Sequence, residues 1–66
     1  MLTVTPKKLD SLITATLREF GDMTPQELAY ECGVSEEAAR SSVARLVAQL
    51  SAVPSRLRPA AYRIPA

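Results

Sequence analysis

At 66 residues, 47% of them apolar and 23% charged, the chain is expected to form one small globular domain over 1–66. It is too hydrophobic for a disordered tail and too short for an enzyme built round a deep pocket. A single cysteine, Cys32, and no histidine exclude an internal disulfide and the usual zinc-ligand sets, so no metal or cofactor is expected and a reducing, cytoplasmic setting is. The net charge of +1 conceals a division. Residues 1–39 carry three basic against seven acidic side chains, whereas residue 40 onward holds Arg40, Arg45, Arg56, Arg58 and Arg63 with no acid. Such asymmetry suggests one face able to meet phosphate and another that should not. No apolar run is long enough to span a membrane, and the first ten residues, MLTVTPKKLD, place their charges after the apolar residues, the reverse of a signal peptide.

In chain order, Pro6 suits a first helical turn, and Leu9, Leu12, Ile13, Thr16, Leu17 and Phe20 then recur on one helical face. Gly21 stops this helix. Thr24, Pro25 and Glu27 form the next start: a hydroxyl cap, a proline where an N–H has no partner, and a capping-box glutamate. Met23 is placed as a hydrophobic staple toward Leu28. The second helix is short, about Pro25 to Glu31 or Cys32, with Leu28, Ala29 and Cys32 inward and Gln26, Glu27, Tyr30 and Glu31 outward or at a rim. Gly33 supplies a positive φ, Val34 turns back inward, and Ser35 caps a third helix over about 35–50. Ala39, Val43, Leu46, Val47 and Leu50 form its inner face, leaving Arg40, Ser41, Ala44 and Arg45 on others.

After Leu50 the chain holds three prolines and a short alternation, Ala61-Tyr62-Arg63-Ile64, which predicts a strand with Tyr62 and Ile64 inward and Arg63 outward. A partner strand near Ala52 to Ser55 completes a hairpin that must pack on the helices to be stable.

Three helices and a hairpin resemble the winged helix-turn-helix family. Its strongest trace is Gln26 to Val47, QELAYECGVSEEAARSSVARLV, where Ala29, Gly33 and Val34 match the small residue, turn glycine and aliphatic set at fixed offsets. Ala39, Val43 and Leu46 take the core places of the third helix, Ala39 being smaller than the branched residue common there. The chain is similar to small stand-alone winged-helix regulators, such as those of pilus operons, phages and plasmids. That resemblance implies a sequence-specific transcriptional regulator of double-stranded DNA. Its third helix would enter the major groove and its hairpin would run as a wing on the backbone.

By family position Ser35, Glu36, Glu37, Arg40, Ser41 and Ala44 are the exposed candidates of that helix. Arg40 is the best base reader, because a guanidinium matches the guanine edge bidentately. Ser41 and Ser42 are candidate donors to a base edge or phosphate. Arg45, Arg56, Arg58 and Arg63 are the expected phosphate ligands, with Lys7 and Lys8 beside the first helix. Two copies, or a partner regulator on an adjacent half-site, are expected because one module buries little surface on DNA.

Glu36 and Glu37 oppose this reading, since carboxylates at the leading end of a recognition helix repel phosphate. They also stabilise the helix dipole whatever the function, and Glu37 is positioned to pair with Arg40 or Ser41. With the acidic first half they motivate the alternative, a winged-helix adaptor that binds another protein. Cys32 reads as a small buried hydrophobe, Tyr30 and Tyr62 as packing residues, and Asp22, Glu27 and Glu31 as capping or solvated acids. No catalytic motif is present, so the chain is not expected to be an enzyme.

Overall fold

The computed structural model describes residues 5–65 and has the expected mainly helical, winged helix-turn-helix layout. Helices α1 (Pro6–Phe20), α2 (Pro25–Cys32) and α3 (Glu36–Ala48) precede the hairpin strands β1 (Val53–Pro54) and β2 (Tyr62–Arg63). Among the described residues no helix is long and apolar enough to cross a membrane.

Each helix begins on a side-chain oxygen that accepts from an otherwise unpaired backbone N–H. Thr5 accepts from the Lys8 N–H at 3.2 Å, a cap that the sequence reading did not single out, and Ser35 accepts from the Ala38 N–H at 3.1 Å. At α2 the capping box is complete: Thr24 Oγ1 accepts from the Glu27 N–H (3.2 Å) while Glu27 Oε1 accepts from the Thr24 N–H (2.9 Å). Met23 and Leu28, either side of this cap, are both buried, as a staple requires.

Two helices end in the same hydrogen-bond pattern with different residues at its critical position. At α2, Val34 N–H donates to the Ala29 carbonyl and Gly33 N–H to that of Tyr30, with Gly33 left-handed at φ 69°. At α3, Ser51 N–H donates to Leu46 and Leu50 N–H to Val47, with Leu50 left-handed at φ 59°. Both are Schellman motifs, which favour glycine at the left-handed residue. Leu50 therefore lies beyond the helix and is 79% exposed, not on the inner face where its spacing placed it. Relieving its Cβ–carbonyl crowding gains about 1–2 kcal/mol, against about 0.5–1 kcal/mol of extra chain entropy for glycine. Leu50→Gly is thus expected to stabilise the domain by about 0.5–1 kcal/mol and raise the thermal midpoint by a few degrees. A lowered midpoint in a calorimetric or dichroism melt would contradict this.

The hairpin pairs Val53 with Arg63 and Pro54 with Tyr62, antiparallel. Its β2 strand has a second neighbour. Met23 N–H donates to the Tyr62 carbonyl (3.1 Å) and Tyr62 N–H to the Met23 carbonyl (2.8 Å), so the segment between α1 and α2 lies against β2 as an isolated bridge. This places β2 in the middle and β1, with Pro54, at the edge, where a missing N–H does no harm. The hairpin is thereby tied to the helices by backbone as well as by side chains.

Leu9, Ile13 and Leu17 of α1, Leu28 and Ala29 of α2, and Ala39, Val43 and Leu46 of α3 form the core with Met23 and Ala52. Tyr62, Ile64, Val34, Val47 and half-buried Cys32 pack on its margin. Leu12 and Phe20, expected on the inner face of α1, are exposed, and Tyr30, read from the sequence as a packing residue, is 86% exposed. The periodic stripe of α1 is wider than the surface that two short neighbouring helices can cover.

Candidate nucleic-acid interface

Helix α3 is held against α1 and α2 by Ala39, Ser42, Val43 and Leu46, which leaves Ser35, Glu36, Glu37, Arg40, Ser41 and Ala44 exposed along its outer side. Tyr62, turned inward on β2, closes one flank of this side. With Pro25, Arg40, Val43, Ala44, Val47 and Ala48 it lines a shallow groove between α3 and the hairpin.

The arginines of the C-terminal half do not act as one pool of free charge. Arg40 Nε (2.9 Å) and Nη2 both donate to one oxygen of Glu36, an i,i+4 pair across one exposed turn. The acid that neutralises Arg40 is therefore Glu36, not Glu37 as the spacing suggested. Arg40 Nη1 makes no bond to the rest of the described chain and remains available with the outer edge of the guanidinium.

Arg45, an expected phosphate ligand, is turned back onto α1. Its Nη2 lies 2.7 Å from Asp10 Oδ1, and its Nε bridges both carboxylate oxygens at 3.2 and 3.0 Å. Ser42 is not an outward donor either: fully buried, it donates to the same Asp10 oxygen at 2.6 Å. The Arg45 hydrogen bonds, helped by that from Ser42, hold the Asp10 carboxyl below the ordinary aspartate range despite its partial burial. This network fixes α3 on α1, and Arg45 belongs to it as a structural cation.

Arg58 is engaged in the same way at the hairpin. Nη2 donates to Glu27 Oε2 (2.9 Å) and Nη1 to the Asp22 carbonyl (2.7 Å). Glu27 thus serves two masters, closing the capping box with one oxygen and receiving Arg58 on the other. The guanidinium first, and the Thr24 N–H second, draw its pKa down to about 2. Both carboxylates stay ionised throughout the physiological range, and so both arginines stay compensated.

Among the described residues, Arg56 and Arg63 of the C-terminal half have no carboxylate partner within ion-pair distance. Alternation along β2 turns Arg63 to the face opposite Tyr62, between Arg56 at the base of the hairpin loop and Arg18 at the end of α1, with each of which it lines a surface depression. Lys7 and Lys8 are exposed at the start of α1.

In the sequence Glu36 stands as an objection, and Asp10 is only one of the seven acids of the first half. The Glu36–Arg40 spacing of four was a legible signal. Asp10 carried none, because its partners lie 32 and 35 residues away. The chain matches no protein-family model, and no curated protein or solved structure is significantly similar to it.

Proposed function

We propose that the chain is a sequence-specific regulator that binds double-stranded DNA, with α3 in the major groove and the hairpin as a wing along the backbone. The observation that carries this reading is the free outer side of α3, where Ser35, Glu37, Arg40, Ser41 and Ala44 project beside a wing anchored to the α2 N-terminus. Arg40 reads a guanine with the edge that Glu36 leaves open, and Glu37 accepts from a cytosine amino group. Ser35 and Ser41 donate to phosphate or a base edge.

Phosphate neutralisation falls to Arg56 and Arg63, because Arg45 and Arg58 already face carboxylates. Two such contacts give a salt slope of only about −2 per copy. Binding is then weak for a single copy and depends on base readout, which favours a homodimer or a partner regulator on adjacent half-sites.

Selection from a random duplex library followed by mobility-shift titration tests the proposal. On the selected site Arg40→Ala is expected to lose about 1–3 kcal/mol of discrimination at one guanine position. Arg56→Ala is expected to weaken all sequences alike and flatten the salt slope by about one. Absence of salt-sensitive binding at tens of micromolar protein would sink the proposal.

One observation favours a protein-binding adaptor as the second reading: Tyr30 stands free beside Gln26, Glu27 and Glu31 round a shallow depression floored by Met23. Capture of a partner from nuclease-treated native extract, lost on Tyr30→Ala, would identify that activity.

A further inference from the structure

The connection between β1 and β2 is more ordered than an exposed seven-residue loop needs to be. Ser55 N–H donates to the Ala61 carbonyl at 2.8 Å, and the Ser55 hydroxyl accepts from the N–H groups of Leu57 (3.0 Å) and Arg58 (3.2 Å). The Ala61 N–H points back to the Arg58 carbonyl. Arg58 then straps the loop to α2 through Glu27 and the Asp22 carbonyl. Pro59 restricts one backbone angle and Ala60 holds a left-handed φ of 60° on the return.

At the tip of this braced loop Leu57 is 81% exposed. A solitary exposed leucine is ordinary on a protein surface. This one differs in being held out on a loop fixed from both sides, beside Arg56, which has no carboxylate partner among the described residues. Ordering a loop costs conformational entropy, and here the ordered product presents an apolar side chain to solvent. An apolar side chain next to an unpaired arginine is the chemistry of a minor-groove wedge. The guanidinium is drawn to the phosphates and negative potential at the groove's edge while the aliphatic group enters between base steps and unstacks them.

We propose that the wing is such a wedge: Leu57 inserts into the minor groove flanking the site read by α3 and kinks the duplex, with Arg56, on the phosphates at the groove's edge, as its electrostatic guide and Arg58 as the brace that holds it out. The proposal rests on the DNA-binding reading above and adds to it an architectural activity, bending. It also gives Arg58 a positioning role in place of phosphate contact.

The test uses the full chain on its selected duplex, with end-to-end energy transfer reporting the bend and 2-aminopurine at the flanking steps reporting unstacking. The parent is expected to bend the duplex by about 20–90° and brighten one 2-aminopurine step. Leu57→Ala should lose most of both signals while still shifting the duplex, and Leu57→Met should retain them. Because the Leu57 side chain is largely free of packing, unchanged thermal midpoints are expected for both variants and separate this result from misfolding. Arg58→Ala should lower the bend with Leu57 intact. A bound duplex that stays straight, or a bend that survives Leu57→Ala, overturns the wedge and leaves DNA binding standing. Absence of any bound duplex overturns both.

Discussion

Asp10→Ala is expected to destabilise the domain by about 2 kcal/mol, read from a urea transition. Two groups lose their acceptor. Ser42 is fully buried, and an unsatisfied hydroxyl there costs about 1–3 kcal/mol, reduced if it rotates to the carbonyl one turn back. Arg45 loses a bidentate partner, but its side chain is 38% exposed and regains water, so the 3–5 kcal/mol typical of breaking a fully buried pair does not apply. Asp10→Asn, which keeps an oxygen for Ser42, should cost less than Asp10→Ala. Arg45→Ala should lower stability without changing the salt slope of DNA binding, whereas a phosphate ligand would do the reverse. An Asp10→Ala transition within about 0.5 kcal/mol of the parent would show that the network contributes little.

What the sequence disclosed and what it concealed divide by range. Helix starts and the α2 turn are local events: Thr24 with Glu27, Ser35 with Ala38, and Gly33 each find their partners within five residues, and each was readable from spacing alone. The arginines were readable as a count and not as a surface. Arg45 finds Asp10 across 35 residues and Arg58 finds Glu27 across 31, distances at which no periodicity reports who meets whom. Met23 escaped because a one-residue bridge has no alternation to detect. Its hydrophobicity was explained by the staple to Leu28, and both residues are buried in the same core.

The outer side of α3 was legible for the same local reason that its partners were. Glu36 and Arg40 stand one turn apart, and their pairing answers the objection to the proposed DNA interface: a compensated arginine would attract phosphate weakly yet keep hydrogen bonds for a base edge. Under the proposed function, selectivity is thereby favoured over general affinity for polyanions. The charge division in the sequence is largely spent inside the fold, where acids of the first half restrain arginines of the second.

Leu28→Ala is expected to have the largest effect on folding, about 2–5 kcal/mol. Leu28 is wholly excluded from solvent, shares the core with residues of all three helices, and sits next to the staple partner Met23 that anchors β2. Deleting three carbons there removes apolar burial and leaves a cavity that short, capped helices cannot easily close. A domain of this length has a total stability on the order of 3–10 kcal/mol, so the variant should lose a large share of it and show a clearly lowered urea midpoint at 10 °C. Leu28→Met, close in volume, should cost under about 1.5 kcal/mol. Leu57→Ala, which removes the same carbons from a side chain that packs on almost nothing, should leave the midpoint where it is. The contrast isolates burial from residue type, and equal losses for the two alanine variants would refute this assignment of the core.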